Sequence, residues 1–325
     1  MAIKVGICGY GNIGRGVEAA FQNNPDMELT GIFTRRRPDS VHSVCGTRIF
    51  PYEMLENGTA EADVVLLCSG SATDLPVQTP LLAEKYNVVD SFDTHAAIPA
   101  HYNKVDAAAK AGGHCALISG GWDPGLFSML RVLGISALPD GRTETFWGRG
   151  VSQGHSDAIR RIEGVLDARQ YTVPVEAAVE AVKNGTAAEL TPRQKHKREC
   201  YVVAAPGADR ERITREIVTM PHYFDEYDTT VHFIDADEMR KAHSTMPHAG
   251  LVLRSACTGN GNGAYMGYEL KMDSNPEFTG SILLAFARAV YRLSQNGTTG
   301  CITPLDIPLY SMSPLSREEL IRRYL

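Results

Sequence analysis

Three glycines near the start of the chain have the spacing of a turn that binds the pyrophosphate of a dinucleotide. They form a Gly-x-Gly-x-x-Gly run between an apolar segment, residues 3–8, and a helix-like segment, residues 16–21. In that setting the first glycine permits a tight turn, the second leaves room for the pyrophosphate, and the third lets the helix pack on the strand. Free N–H groups at the helix N-terminus can donate hydrogen bonds to the phosphates. An ordinary glycine-rich turn is the alternative. The predicted dinucleotide contacts are Gly9, Tyr10, Gly11, Asn12, Ile13 and Gly14.

The end of the second predicted strand, residues 27–33, distinguishes between the two nicotinamide dinucleotides. NAD-binding chains often have an acidic residue there, which holds the ribose hydroxyls. Here the strand is followed by Thr34, Arg35, Arg36 and Arg37. Guanidinium groups bind a phosphate on the adenosine ribose through charge-assisted hydrogen bonds, whereas a carboxylate repels it. We therefore predict NADP(H) as the cofactor, with contacts from Thr34, Arg35 and Arg36. A solvated basic loop is the alternative.

A further group of cofactor contacts is predicted after the apolar residues 62–68. Small polar residues at the end of a strand can hold a phosphate or a ribose through their N–H and hydroxyl groups. A simple turn with a helix cap would have the same composition. The predicted contacts are Ser69, Gly70, Ser71, Thr73 and Asp74.

Two aspartates follow two further predicted strands. Asp93 comes after residues 87–91, and Asp123 comes after residues 114–119. The carboxyl ends of parallel strands meet at one edge of a sheet, which is where the nicotinamide is expected. Two carboxylates there could hold a substrate ammonium group and tune its protonation. Each aspartate taken singly could instead cap a helix.

The order of the predicted elements indicates an α/β protein with two domains. Strands and helices alternate up to about residue 120, which predicts a doubly wound parallel sheet of the Rossmann type. The pattern then changes to α+β, with a domain of residues 121–280 that we expect to contain an open mixed sheet. The segment 280–325 begins with a strong helix and is expected to pack back on the domain of residues 1–120. In the second domain, strands are predicted at 143–152, 199–204, 213–234 and 250–272, and helices at 156–170 and 174–184.

Composition restricts the class of protein. The 325 residues have a net charge of −6, so binding to nucleic acid or to an acidic membrane is not favoured. The sequence has no apolar run of transmembrane length and no charged leader with a cleavage site, which predicts a cytoplasmic protein. Seven cysteines without C-x-x-C spacing fit a reducing compartment. No metal-ligand spacing is present, so we predict no metal ion.

Three local features leave alternatives open. Gly150, Ser152 and Gly154 match the nucleophile elbow of serine hydrolases, but an N-terminal dinucleotide turn argues against that fold. The basic residues 195–198 could grip a carboxylate or form a solvated turn. His248 and Asn275, taken alone, would be assigned to the surface or to caps.

The motifs taken together resemble the meso-diaminopimelate dehydrogenase family, nearly from end to end. The resemblance implies NADP-dependent, reversible oxidative deamination of the D-centre of meso-2,6-diaminoheptanedioate. The products are L-2-amino-6-oxoheptanedioate and ammonia, and the reaction belongs to lysine biosynthesis. It also implies a second domain for substrate binding and oligomerisation, in a homodimer or a higher homo-oligomer. The matching segments are residues 9–14, 70–74, 121–125, 146–148, 152–158, 196–198 and 246–248.

The resemblance also implies roles for individual residues. Asp93 and Asp123 would be the catalytic residues at the reacting amino acid centre. Arg198, Thr172 and His248 would hold the distal, L-configured carboxylate. The other substrate-binding residues would be Phe146, Trp147, Gln153, Gly154, Asp157 and Asn275.

Two other functions remain compatible with the sequence. One is an NADPH oxidoreductase that acts on a different intermediate of the lysine pathway. The other is a protein that senses NADP(H) without catalysis. The first would lack a use for the distal carboxylate clamp, and the second would bind cofactor without turning over any amino acid.

Overall fold

The computed structural model of the chain describes residues 2–187 and 189–325. The strands are β1 (Ile3–Cys8), β2 (Met27–Thr34), β3 (Ile49–Pro51), β4 (Val64–Leu67), β5 (Asn87–Asp90), β6 (Cys115–Leu117), β7 (Gly141–Trp147), β8 (Gly150–Val151), β9 (Val165–Pro174), β10 (His196–Ala204), β11 (Asp228–Phe233), β12 (His248–Cys257), β13 (Gly263–Met272) and β14 (Gly300–Ile302). The helices are α1 (Asn12–Phe21), α2 (Glu53–Glu56), α3 (Leu75–Ala83), α4 (Ile98–Gly112), α5 (Leu126–Ala137), α6 (Gln153–Arg160), α7 (Glu176–Lys183), α8 (Pro192–Lys195), α9 (Arg210–Val218), α10 (Ala236–Ala242), α11 (Asn275–Gln295), α12 (Leu309–Met312) and α13 (Arg317–Tyr324). Short 3-10 helices cover Pro38–Ser40, His95–Ala97 and Pro304–Asp306.

The chain forms two compact units. The first comprises the residues up to Met129 together with Pro276–Leu325, and the second comprises Leu130–Asn275. The first unit contains a parallel sheet of seven strands in the order β14-β6-β5-β4-β1-β2-β3. The chain passes from β1 to β3 in one direction and from β4 to β6 in the other, so the strand order reverses between β1 and β4. Doubly wound sheets bind ligands beyond the carboxyl ends of their strands at such a reversal. The predicted Rossmann sheet is confirmed.

The first unit has apolar layers on both faces of its sheet. The four residues of Val64–Leu67 are fully buried, as is usual for a strand of a parallel sheet that is covered on both sides. One layer includes the long helix α11, which packs on the sheet through Leu283 and Phe286. Glycine allows α11 to approach α1 closely, because a Cβ at Gly16 would lie 2.1 Å from the carbonyl oxygen of Pro276.

The second unit contains two separate sheets. One has four strands in the order β11-β10-β9-β8, in which the β10–β11 pair is parallel and the other pairs are antiparallel. The other is antiparallel, with three strands in the order β13-β12-β7. The α+β character of the second domain is confirmed. The single open mixed sheet expected from the sequence is wrong, because the strands divide between two sheets.

The helix predicted at residues 156–170 is too long. Helix α6 ends at Arg160, and the residues from Val165 onward form β9. Leu166, Ala168 and Gln170 favour helix locally, but pairing with β10 along the whole strand overrides that preference.

The strand predicted at residues 213–234 is also partly wrong, because Arg210–Val218 is helix α9. Asp209 caps this helix, since its side chain accepts a hydrogen bond from the N–H of Arg212 at 2.9 Å. Ile213 and Ile217 lie four residues apart and bury one face of the helix. A capping residue followed by that spacing was the signal for a helix.

Candidate functional site

The glycine-rich turn of the first unit has the geometry that pyrophosphate binding requires. Gly9 has a φ of +89°, and a Cβ there would lie 2.5 Å from the hydroxyl oxygen of Ser69. A Cβ at Gly14 would lie 2.3 Å from the carbonyl oxygen of Gly9, so only glycine lets α1 start so close to β1. Around Gly11, the N-cap of α1, no described atom comes within 4 Å of an added Cβ. The turn is therefore tight at its two ends and open in the middle, where a phosphate can meet the helix N-terminus.

A cleft of about 620 Å³ lies beside this turn, at the carboxyl ends of the strands. Nine of the predicted cofactor contacts line it: Gly9, Tyr10, Gly11, Thr34, Arg35, Arg36, Ser69, Gly70 and Asp74. The remaining predicted contacts are outside its lining: Asn12, Ile13, Gly14, Ser71 and Thr73. Sequence reasoning missed five residues that line it: Cys8, Phe33, Tyr52, Cys68 and Gln78.

Two of the missed residues, Tyr52 and Gln78, have only weak signals in the sequence. Tyr52 comes directly after β3, a strand of three residues that has too few positions to show a pattern. Gln78 lies on α3 and is buried, and its side-chain oxygen has no hydrogen-bond partner among the described atoms. A buried amide oxygen is costly unless it is paired, so Gln78 is a candidate cofactor contact.

Two arginines after β2 are held at the cleft by different partners. The guanidinium of Arg36 donates to the backbone oxygen of Tyr10 at 2.6 Å. The guanidinium of Arg35 pairs with the carboxylate of Asp74 at 2.7 Å, and that carboxylate also accepts the N–H of Gly70 at 3.0 Å. Both guanidinium groups therefore line the cleft, where they could meet a phosphate, and no acidic residue ends β2. The residues present fit NADP(H).

The two predicted catalytic aspartates follow β5 and β6 in the first unit. Asp93 is exposed, and Ser71 donates a hydrogen bond to its carboxylate, while the N–H of Asp93 donates to the Ser71 hydroxyl at 3.0 Å. Asp123 is partly buried in the turn that begins α5. The neighbouring Trp122 is buried edge-on against Phe127, with ring centroids 5.3 Å apart. Packing of that indole fixes the backbone beside Asp123.

Three of the predicted substrate-binding residues meet across adjacent strands of the second unit. Arg198 on β10 pairs with Thr172 on β9, and its guanidinium donates to the Thr172 hydroxyl. Thr172 pairs in turn with Gly150 on β8. The ring of His248 lies so close to Gly150 that a Cβ there would be 2.5 Å from it. The predicted clamp of Arg198, Thr172 and His248 is thus contiguous.

The guanidinium of Arg198 is buried and lies over the ring of Tyr227, 3.9 Å from its centroid. Within the described part of the chain it forms no ion pair with a carboxylate, and its Nε has no hydrogen-bond partner. Burial lowers the pKa of the Arg198 guanidinium. Arginine nevertheless keeps its charge in proteins. Tyr227 was missed by sequence reasoning, since a tyrosine in a turn carries no signal of its own.

An aromatic group lies beside this clamp. Phe146 is fully buried, and Trp147 is 37% exposed. The ring of His196 packs against both, and its Nε2 accepts the backbone N–H of Trp147 at 2.9 Å. Burial, followed by the charges of Lys195 and Arg198, lowers the pKa of His196 to about 3. His196 is therefore neutral and acts as a fixed acceptor, a role that the sequence did not reveal.

The remaining predicted substrate contacts have mixed surroundings. The amide of Gln153 contacts the sulfur of Met246 at 3.1 Å, and the N–H of Asn275 donates to the backbone oxygen of the same methionine at 2.9 Å. Gly154 is exposed at the start of α6. The carboxylate of Asp157 pairs with Arg160 on the exposed side of that helix. Binding of substrate by these residues stays a prediction.

Residues 2–187 and 189–325 contain no cluster of three or more His, Cys, Asp or Glu side chains that could hold a metal ion. Among the helices described, none is both long enough and apolar enough to cross a membrane.

A reversal of strand order, a tight glycine turn and a cleft with two arginines define the class, which is that of the nicotinamide-dinucleotide oxidoreductases. Residues 121–274 match the family model of the diaminopimelic acid dehydrogenase C-terminal domain. The chain is 54% identical to the meso-diaminopimelate D-dehydrogenase of Ureibacillus thermosphaericus over 323 residues, which cover 99% of both proteins. The chain belongs to the meso-diaminopimelate D-dehydrogenase family.

Solved structures agree with this assignment. The chain is 45% identical to the Corynebacterium glutamicum diaminopimelate dehydrogenase in complex with diaminopimelate, with a TM-score of 0.90 over 99% of each chain. It is 43% identical to an engineered D-amino acid dehydrogenase bound to NADP+, with a TM-score of 0.86 over 100% of each chain. The predicted family and the predicted enzyme class, a dehydrogenase, are confirmed.

Proposed function

We propose that the protein catalyses the NADP-dependent, reversible oxidative deamination of the D-centre of meso-2,6-diaminoheptanedioate. The products are L-2-amino-6-oxoheptanedioate and ammonia. The observation that carries the proposal is the buried guanidinium of Arg198, which has a hydroxyl and an aromatic ring beside it but forms no ion pair with a carboxylate of the described residues. A buried cation without a counter-ion is costly, and a carboxylate of the substrate removes that cost. A simple D-amino acid has no second carboxylate to supply it.

The cofactor contacts support NADP(H) in preference to NAD(H). The turn of Gly9, Gly11 and Gly14 would hold the pyrophosphate, and Arg35 and Arg36 would hold the phosphate on the adenosine ribose. Bound NADP+ supplies a hydride acceptor in the oxidative direction.

The clamp explains how one centre of the substrate is selected. The two ends of the meso compound are chemically identical and differ only in handedness. Arg198, Thr172 and His248 would hold the carboxylate of the L end, since guanidinium binds carboxylate with a fixed direction. The D end is then the one that presents its Cα–H for hydride transfer. Holding the substrate in this orientation accelerates the reaction.

The two aspartates are the candidate acceptors of the proton that the reacting amine must lose. An ammonium nitrogen has no lone pair with which to form a C=N bond, so the reacting amine must lose a proton before the hydride leaves. Asp93 or Asp123, directly or through a water molecule, would accept that proton. Water then adds to the carbon of the imine, and ammonia leaves as the ketone forms.

The proposal extends to organisation. Residues 1–120, with 280–325, would be the dinucleotide-binding domain, and residues 121–280 would bind the amino acid and join the subunits of a homodimer or higher homo-oligomer. Support for the two binding roles comes from the cleft in the first unit and from the buried Arg198 in the second, whose Nε has no hydrogen-bond partner among the described atoms. We also propose that the protein acts in the cytoplasm, where lysine precursors are made.

The test is an assay of NADPH formation by the purified protein with the meso, LL and DD isomers of 2,6-diaminoheptanedioate. We expect turnover of the meso isomer and none of the LL isomer, which lacks a D-centre. The Asp123→Asn protein is the control for turnover by a contaminant. Activity only with another substrate would favour a different NADPH oxidoreductase, and tight NADP+ binding without turnover would favour a sensor.

A further inference from the structure

Asp90, the last residue of β5, is fully buried, and its carboxylate has four polar neighbours in the first unit. One oxygen accepts the N–H of Phe92 at 3.0 Å and the N–H of Ser119 at 2.8 Å. The other accepts the hydroxyl of Thr79 at 2.8 Å and lies 2.7 Å from Nε2 of His101. A buried carboxylate persists only when donors replace its water, and here they come from separate segments of the chain.

The two N–H groups belong to the two loops that carry the catalytic aspartates. Phe92 directly precedes Asp93 in the loop after β5, and Ser119 begins the loop that leads to Asp123. The backbone oxygen of Asp90 also accepts the N–H of the residue after Ser119, at 2.7 Å. One side chain and its own carbonyl therefore hold both loops at the edge of the sheet.

Two features show that these loops need such support. Ser119 has a φ of +58°, a left-handed conformation that is rare for a residue other than glycine and must be held by its surroundings. The ring of His101 packs on Phe92, with centroids 4.2 Å apart, while its Nε2 faces Asp90. His101 thus packs on the loop of Phe92 and contacts the carboxylate that binds both loops.

We propose that Asp90 is a positioning residue, which fixes Asp93 relative to Asp123 by accepting an N–H from each of their loops. It touches neither aspartate and does not take part in proton transfer. The proposal rests on the proposed function only where it assigns Asp93 and Asp123 to the reaction. Misplacement of a catalytic group by about 1 Å can lower a rate roughly 100-fold, so the effect is large.

The experiment compares Asp90→Ala with Asp90→Asn. Alanine removes both acceptor oxygens, whereas asparagine keeps one oxygen for the two N–H groups and turns its amide toward Thr79 and His101. We expect Asp90→Ala to lower kcat by roughly 100-fold, with the Kd for NADP+ unchanged, and Asp90→Asn to recover most of the rate. Hydrogen exchange of the Phe92 and Ser119 amides should be faster in Asp90→Ala than in Asp90→Asn.

Thr79→Val is the matched control, because it removes a hydrogen bond to the same carboxylate but to neither loop. It should lower the melting temperature with little change in kcat. If Asp90→Ala does not fold, Asp90→Ser is used in its place. Serine has a shorter side chain with a single hydroxyl oxygen to accept a hydrogen bond. Equal losses of kcat in the alanine and asparagine variants, or a loss of NADP+ binding that matches the loss of kcat, would overturn the proposal. If the wild-type protein has no activity on the meso compound, the proposed function fails, and amide exchange alone then decides whether Asp90 holds both loops.

Discussion

Arg198 and Thr172 stand directly opposite each other on the antiparallel strands β10 and β9, and the guanidinium of the first donates to the hydroxyl of the second. Cross-strand pairing brings them together, although their positions in the sequence are well separated. The same register places Gly150 opposite Thr172, which leaves room for His248. The register of one sheet thus positions a group that can bind a carboxylate.

Replacement of Arg198 by methionine should loosen the choice of substrate. Methionine keeps an unbranched side chain over Tyr227 but removes the charge that binds the distal carboxylate. A hydrogen bond to a charged group contributes about 1.5–3 kcal/mol, so kcat/KM for the meso compound should fall on the order of 100-fold. Activity toward D-amino acids without a distal carboxylate should change little or rise. Steady-state kinetics with both kinds of substrate gives the two values of kcat/KM, and their ratio measures the change in specificity.

Arg193→Met is the matched control for that change. Arg193 is an exposed arginine that pairs with Asp228 on the surface, so its loss alters net charge by the same amount. Its kinetics should resemble those of the wild type, because exposed ion pairs contribute little. Unchanged kinetics in Arg198→Met would remove this residue from the clamp.

Arg36→Gln should weaken the binding of NADP+ without a similar effect on NAD+. The substitution removes a guanidinium at the cleft but leaves a side chain that can still reach the backbone of Tyr10. Loss of one charge-assisted contact with a phosphate should raise the Kd for NADP+ by roughly 10- to 100-fold. Calorimetric titration of the apo protein with each cofactor gives the two constants.

Arg37→Gln tests whether the loss of any positive charge in this loop would weaken NADP+ binding as Arg36→Gln does. Arg37 is adjacent in sequence, highly exposed, and paired with Asp39. Its loss should leave both dissociation constants close to those of the wild type. Equal effects of the two substitutions on NADP+ would show that the arginines act only as a basic loop.

The sequence predicted the cofactor side of the molecule well because its signals are local. The glycine spacing, the arginines after β2 and the alternation of strands and helices each lie within a short window. Nine of the predicted contacts line the cleft, and three of the five outside its lining, Asn12, Ser71 and Thr73, are adjacent in sequence to residues that do. Tyr52 was not predictable because β3 has only three residues.

The contacts among the predicted substrate-binding residues depend on the register of paired strands, which the sequence does not show. The contacts of His196 and Tyr227 became visible only when β10 was placed beside its neighbours. The error at residues 165–170 has the same origin, because pairing with β10 decides a segment whose local preference is for helix. The family resemblance supplied Arg198, Thr172 and His248, but not the contacts between them.

Two glycine substitutions in the dinucleotide turn should separate folding from binding. Gly14→Ala places a methyl group 2.3 Å from the Gly9 carbonyl oxygen, which forces α1 away from β1. Overpacking of this kind costs about 1–3 kcal/mol, so thermal unfolding of the apo protein should occur at a lower temperature. NADP+ binding should fall as well.

Gly11→Ala is the matched variant, because its methyl group meets open space among the described atoms but would occupy the predicted place of the pyrophosphate. The melting temperature of its apo form should equal that of the wild type, while NADP+ binding becomes weak. Wild-type affinity for NADP+ in Gly11→Ala would contradict the placement of the pyrophosphate at this turn.

His196 should make the stability of the protein depend on pH below neutrality. The residue is only 3% exposed, and burial, with Lys195 and Arg198 nearby, lowers its pKa to about 3. In the unfolded chain a histidine titrates near 6.5. Between these values the unfolded state binds a proton that the folded state does not, so the free energy of unfolding falls as the pH falls. The stabilisation is fully present above pH ~6.5 and is lost by about 1.4 kcal/mol per pH unit within the window.

The His196→Gln variant isolates this contribution, because its side-chain oxygen can accept the Trp147 N–H but does not titrate. The free energy of unfolding, measured by urea titration at a series of pH values from ~6.5 to ~4, should depend less steeply on pH in this variant than in the wild type. His232→Gln, at an exposed position on β11, is the control for the removal of a histidine. Parallel curves for His196→Gln and the wild type would mean that His196 takes up its proton in the folded protein, and its role as a neutral acceptor for Trp147 would then be wrong.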